Sequence, residues 1–189
     1  MKRIVVAITG ASGSIYGIDL LKKLQKMPDI ETWLVMSDWA KQNIVIETDY
    51  TVEEVASLAD QVADNQNLAA AISSGSFQVD GMVVVPASMK TVAGISLGLD
   101  QDLIMRASGV MIKEQRKLIL MPRETPLSAI HLENLLKLAR LGVQIIPPIP
   151  SFYSRPETIQ DLLDQTNMRV LDNLGISSNF AKRWGEKQA

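Results

Sequence analysis

The chain has 189 residues, 47% of them hydrophobic and 21% charged, with a net charge of −2. That balance describes a globular protein with one sizeable core, and residues 1–189 read as one domain. Scattered basic residues at this net charge exclude a nucleic-acid or anionic-membrane surface. The absence of cysteine removes disulfides, thiolate chemistry and Cys-ligated metals, and suits a cytoplasmic setting.

The first predicted element is a strand over residues 3–8, "RIVVAI". Lys2 and Arg3 before an apolar stretch have the outline of a signal peptide. The stretch from Ile4 to Ile8 is nevertheless shorter than the roughly 7–15 residues of such a segment. No run approaches the roughly 18 apolar residues of a spanning helix, so no membrane span is expected. Further strands are predicted at 31–36 ("ETWLVM"), 81–86 ("GMVVVP"), 117–122 ("KLILMP") and 142–147 ("GVQIIP"). Most are continuously apolar, as in strands covered on both faces.

Helical patterns alternate with these strands. Residues 14–26 place Leu20, Leu21 and Leu24 on one face. Residues 101–113 follow, then 128–141, with Ser128 as N-cap and Gly142 as a stop. Residues 155–174 open on a capping-box spacing, Ser154 and Glu157, and close at Gly175. Residues 47–80 are acidic and polar and read as a surface excursion with one weak helical stretch. The alternation predicts an α/β fold, a three-layer, Rossmann-like, doubly wound and mostly parallel sheet.

"AITGASGSIYG" (7–17) places a glycine loop between the first strand and the first helix, where backbone N–H groups can meet a phosphate. The other reading is a tight turn without a ligand. A triphosphate loop would end in Gly-Lys-Ser/Thr, and no lysine is present. The spacing is GxxGxxxG rather than the dinucleotide GxGxxG, and the second strand ends at Ser37 rather than an acid. Asp38, one residue on, keeps a dinucleotide open. No tyrosine is followed by a lysine four residues later, which removes the short-chain dehydrogenase pair.

Ligands of open α/β sheets bind beyond the carboxyl ends of the strands. "VVVPASMKT" brings Ser88 and Thr91 there, either as a helix cap or as partners for a phosphate or flavin edge. "LILMPRE" brings Arg123 and Glu124, and "IIPPIPSFY" presents Tyr153. On the 101–113 helix, Arg106 and Lys113 point in nearly the same direction at the edge of the apolar face. Arg169 lies in line with Leu162, which directs it towards the buried side. A buried cation needs an anionic partner, either an internal carboxylate or a bound phosphate. His131, the one histidine, reads as structural, and a single histidine leaves no metal site.

"TGASGSIYG", "PASMKT", the run from Arg106 to Gly142, "PSFYSRPETI" and "MRVLDNLGI…RWGE" together resemble the UbiX-type flavin prenyltransferases, most of all those known as the B component of phenolic acid decarboxylases. The resemblance spans Ile4 to Trp184. It implies an enzyme that joins a dimethylallyl group from dimethylallyl monophosphate to N5 and C6 of reduced FMN, without a metal. The prenylated FMN then serves a UbiD-type aromatic-acid decarboxylase. It also implies a dodecamer with sites shared between subunits. Carried over by motif, Gly10, Ala11 and Ser12 hold the FMN phosphate region, and Ser37 binds FMN. Ser88, Met89, Lys90 and Thr91 line the flavin, with Arg123 in contact. Lys113, Glu124, Tyr153 and Arg169 surround the substrate phosphate, with Arg106 near and Trp184 as an aromatic wall. For the implied reaction, Lys113 and Arg169 are expected to stabilise the leaving phosphate electrostatically, and Glu124 and the released phosphate to handle the C6 proton. The chain departs from the pattern at Ala87, where relatives often carry cysteine, and at "RASGV", where Ser108 and Gly109 are expected to loosen the helix. Two alternatives stay open: a direct flavin-dependent aromatic-acid decarboxylase, and a non-catalytic FMN carrier.

Overall fold

Strand β1 (Lys2–Ile8) is buried on both faces from Ile4 onward. Its alternate residues divide between two cores, Ile4, Val6 and Ile8 in one and Val5 and Ala7 in the other. The computed structural model describes residues 1–185. The remaining strands are β2 (Ile30–Met36), β3 (Gln61–Asp64), β4 (Gly81–Ala87), β5 (Lys117–Pro122) and β6 (Gln144–Ile145). They form one sheet in the order β3-β2-β1-β4-β5-β6, and every pairing is parallel.

The helices are α1 (Ser14–Gln25), α2 (Asp38–Glu47), α3 (Val52–Ala56), α4 (Met89–Leu97), α5 (Leu103–Lys113), α6 (Ala129–Arg140) and α7 (Ile159–Leu174). Leu20, Leu21 and Leu24 of α1, Ala40 and Ile44 of α2, and Val170, Leu171 and Leu174 of α7 cover one face of the sheet. Val92 and Ile95 of α4, Leu103, Ile104, Ala107 and Met111 of α5, and Leu138 of α6 cover the other. The result is the expected three-layer, doubly wound sheet. Among the described residues, no helix is long and apolar enough to cross a membrane.

Three local expectations change. The 47–80 excursion contains α3 and the edge strand β3, which pairs with β2 from Trp33↔Gln61 to Met36↔Asp64. Only Ala63 of β3 is buried, so the strand lacks the apolar run by which its neighbours announce themselves. The fifth predicted strand shrinks to Gln144–Ile145 before Pro147 and Pro148. The last helix starts at Ile159, not residue 155, and its capping box is Thr158 with Asp161. Arg155 has φ 53 and precedes Pro156, which keeps that residue out of the helical region. By contrast, α5 runs unbroken through Ser108 and Gly109. The buried Ser108 hydroxyl donates to the Ile104 carbonyl at 2.7 Å, so the expected loosening does not occur.

Candidate active site

The switch in strand order falls at β1, flanked by β2 and β4. The helices that follow β1 and β4 therefore leave on opposite faces and open a crevice at the strands' carboxyl ends. Gly13 turns the chain there with φ 105, a conformation that costs a residue with a Cβ. One turn into α1, a Cβ on Gly17 would lie 2.7 Å from the Val85 carbonyl oxygen. That glycine lets the helix pack directly on β4.

Thr9 ties this loop to the end of β4. Its hydroxyl donates to the Pro86 carbonyl at 2.7 Å and accepts from the Ser88 N–H at 2.8 Å. Ser88 caps α4, accepting from Thr91 N–H at 3.3 Å, and its hydroxyl lies 3.0 Å from that of Thr91. Ser37 caps α2 by accepting from Ala40 N–H at 3.2 Å. Two capped helix N-termini thus face one crevice with their partial positive charge. Gly10, Ser37, Ser88, Lys90 and Thr91 line a cavity of about 240 Å³ together with Trp39, Asn65 and Asp102. Arg123 reaches over from the end of β5, its Nε donating to the Ser12 carbonyl at 3.3 Å. Ala11 is buried under the loop and Met89 is half-buried. Ala87 is fully buried, so a cysteine at this position would be shut away from solvent.

The structure adds residues that pattern reading missed. Glu47, in the last turn of α2, accepts from Gly13 N–H at 2.8 Å and Ser14 N–H at 3.2 Å. It supplies the N-terminal cap that the α1 sequence lacks. An acid at a helix C-terminus opposes the dipole, and that misplacement is the one signal the sequence carried. Asn65 follows the unrecognised β3. Its carbonyl and side-chain oxygens accept from Leu103 N–H at 2.8 Å and Ile104 N–H at 3.1 Å, which seats α5 on the sheet. Burial raises the pKa of the Tyr16 phenol beside this loop and keeps it neutral.

The residues assigned to the substrate phosphate are not all brought together. Arg106 donates to Ser73 O at 3.1 Å and to Asp100 at 2.8 Å. Lys113 pairs with Glu114, and that hydrogen bond holds the Glu114 carboxyl below the usual carboxylate range. These two cations do share a direction, towards the 73–75 stretch, as their spacing predicted. Elsewhere, Tyr153 and Trp184 pack edge to face, 5.3 Å between ring centroids, and the Tyr153 hydroxyl accepts from the Gln165 amide. Glu124 accepts from Thr125 N–H at 3.0 Å and is exposed. Arg169 is exposed too and sits 3.6 Å from Asp172, contrary to the buried direction expected. The buried face of α7 is set by Leu163, Asn167, Val170 and Leu171, and Leu162 lies only at its margin. Among the described residues, no hydrogen bond or ion pair joins the α5 cations to Glu124, Tyr153 or Arg169. His131 is structural: its Nδ1 accepts from Ser128 N–H at 3.3 Å in the capping box of α6.

The Ser14 hydroxyl is buried without a partner at the start of α1, and the capped N-termini at Ser37 and Ser88 turn their N–H groups towards the crevice. With the Lys90 cation at its rim, they fit a phosphorylated, hydroxylated ligand. A parallel sheet with such a crevice at its switch point defines a nucleotide- or flavin-binding α/β protein. Residues 1–171 match the family described as Flavoprotein. The chain is 60% identical to a flavin prenyltransferase, LpdB, of Lactiplantibacillus plantarum, over 97% of this chain and 98% of that one. Two solved structures superpose closely. One, described as AnUbiX in complex with FMN and dimethylallyl pyrophosphate, has TM-score 0.96 and 49% identity over 99% of both chains. The other, described as a dodecameric FMN-dependent UbiX-like decarboxylase from Escherichia coli O157:H7, has TM-score 0.95 and 50% identity. It covers 97% of this chain and 100% of that one. The chain belongs to the flavoprotein family, and within it to the UbiX-like flavin prenyltransferases.

Proposed function

We propose that this protein is a flavin prenyltransferase that transfers the dimethylallyl group of dimethylallyl monophosphate to N5 and C6 of reduced FMN. The observation that carries this reading is the crevice joining Gly10, Ser37, Ser88 and Thr91, in a chain 60% identical to a flavin prenyltransferase. FMN would supply the nucleophilic nitrogen and carbon, and dimethylallyl monophosphate two electrophilic ends: the carbon that loses phosphate, for N5, and the far alkene carbon, for C6, with the alkene taking up one proton as C6 gives one up.

Gly10, Ala11 and Ser12 hold the FMN phosphate region, ahead of the α1 N–H groups that Glu47 occupies. Ser37, Ser88, Met89, Lys90 and Thr91 immobilise the rest of the flavin, with Arg123 closing over it. This is chiefly a positioning effect. Lys113 and Arg169 neutralise the phosphate as its C–O bond breaks, Arg106 adds charge nearby, and Tyr153 donates its O–H to a phosphate oxygen. The carboxylate of Glu124 takes the proton lost from C6, on its own or through the released phosphate. Trp184 walls the allyl group.

We further propose that several copies of the chain complete the site. On one chain the α5 cations stand apart from Tyr153, and large apolar side chains stay exposed on α6 and beside Tyr153: Ile130, Leu132, Leu136, Ile149 and Phe152. Such patches mark surfaces covered in an assembly, and a dodecamer accommodates them. The product then passes to a UbiD-type aromatic-acid decarboxylase. A cytoplasmic location and a single domain over 1–189 go with this reading.

The test is to incubate the protein with reduced FMN and dimethylallyl monophosphate and to extract the flavin for mass spectrometry. A flavin heavier by one five-carbon unit is expected. Unchanged flavin, or decarboxylation of an aromatic acid by the protein alone, would overturn the reading.

A further inference from the structure

Helix α7 buries three consecutive polar residues, Gln165, Thr166 and Asn167. Two of them serve the packing. Thr166 Oγ1 donates to Leu162 O at 2.9 Å. Asn167 Nδ2 reaches Tyr16 O at 3.1 Å and the buried Asp19 carboxylate at 2.6 Å, which docks α7 on α1. Gln165 does neither. It is 6% exposed, its amide nitrogen donates to the Tyr153 hydroxyl, and its Oε1 is buried without a partner. An apolar side chain of that size would leave no unsatisfied amide oxygen.

Tyr153 needs an anchor, because it sits 46% exposed on the stretch between β6 and α7 that has no regular structure. Trp184 steadies the ring in an edge-to-face contact, and the Gln165 amide fixes the oxygen. The polarity of that bond matters. An N–H donated to the phenol oxygen uses an acceptor lone pair and leaves the phenol hydrogen free to donate elsewhere. The opposite polarity would use up that hydrogen.

We propose that Gln165 is a positioning residue for the prenyl-transfer reaction. It holds the Tyr153 oxygen in place and keeps its O–H directed to the phosphate of the allylic substrate. The proposal rests on the function argued above and names a residue outside the motifs that define the site. Gln165→Met keeps the length and removes the donor. It should raise KM for dimethylallyl monophosphate by about tenfold, the worth of one hydrogen bond, with FMN affinity unchanged. Gln165→Glu presents only acceptors, captures the phenol hydrogen and should cost more than Gln165→Met.

Because Gln165 acts through one oxygen, its effect should vanish in a Tyr153→Phe background, where Gln165→Met changes KM less than twofold. Equal losses in both backgrounds, or a Gln165→Glu enzyme as active as wild type, would overturn the proposal. If Gln165→Met fails to fold, the Gln165→Glu enzyme decides, alone and in the Tyr153→Phe background. Failure of wild-type protein to prenylate FMN counts against the function itself. Normal wild-type turnover with an unaffected Gln165→Met counts against the positioning role alone.

Discussion

Glu124 stands just past the end of β5, and among the described residues its carboxylate is held only by the N–H of the next residue, Thr125. A carboxylate so lightly engaged is available to accept a proton, and its amide cannot. Glu124→Gln should therefore bind reduced FMN as wild type does while prenylating it at least about 100-fold more slowly, the usual worth of a general base. Single-turnover formation of the heavier flavin measures the rate, and flavin fluorescence quenching measures the binding. A variant that binds normally and turns over at the wild-type rate would remove Glu124 from the chemistry and favour a carrier role. At this scale the sequence was unevenly readable. Ser37, Ser88 and Arg123 sit at strand ends that hydrophobic runs reveal. Glu47 and Gln165 act across 33 and 12 residues of chain, through contacts only the folded backbone creates. Arg169 was misdirected because a seven-residue alignment with Leu162 compares it with a residue at the edge of the buried face, not its centre.

Elements carry the next set of expectations. Ser88 both caps α4 and lines the cavity. Ser88→Ala should lower stability by about 1 kcal/mol and weaken FMN binding together. Ser128→Ala, which removes the equivalent cap from α6, should cost similar stability and leave FMN binding intact. Thermal melts and flavin titrations of the two variants separate the roles. The C-terminal segment that brings Trp184 to Tyr153 is tied to α7 by Arg183, whose two terminal nitrogens reach Asp172 at 2.8 and 2.7 Å. Those hydrogen bonds hold the Asp172 carboxyl below its ordinary value of 3.8. The tie is fully present above that value and is lost as pH falls through the lowered folded one. Hydrogen-exchange protection over residues 176–185, taken relative to the intrinsic exchange rate at each pH, should fall on acidification in wild type. In Asp172→Asn it should already be low at neutral pH. Identical profiles would show that this pair does not hold the segment. The strong elements, β1, β2, β4, β5, α5 and α6, were legible because apolar runs and caps agree there. β3 was hidden because an edge strand buries only one of its four side chains.

At the scale of the whole molecule, the chain assembles a flavin crevice but leaves the groups assigned to the substrate phosphate in separate places. From α5, Arg106 and Lys113 face the 73–75 stretch, and Tyr153 lies beside α7 with Gln165 and Trp184. If neighbouring copies bring them together, the two groups belong to different chains at each site, and two inactive variants can repair one another. Lys113→Ala and Tyr153→Phe should each prenylate FMN poorly alone. Co-expressed at equal levels, their mixed assemblies should recover about a quarter of wild-type activity, because random mixing gives each site an intact Lys113 and an intact Tyr153 half the time each. Ile130→Glu on the exposed apolar face of α6 should yield a smaller species by light scattering, with unchanged secondary structure and little prenylation. The two experiments fail in different ways. Mixed assemblies no more active than the sum of their parents would place Lys113 and Tyr153 in the same chain's site. An Ile130→Glu variant that stays fully assembled would move the contact off α6 and leave shared sites possible through the loop bearing Ile149 and Phe152.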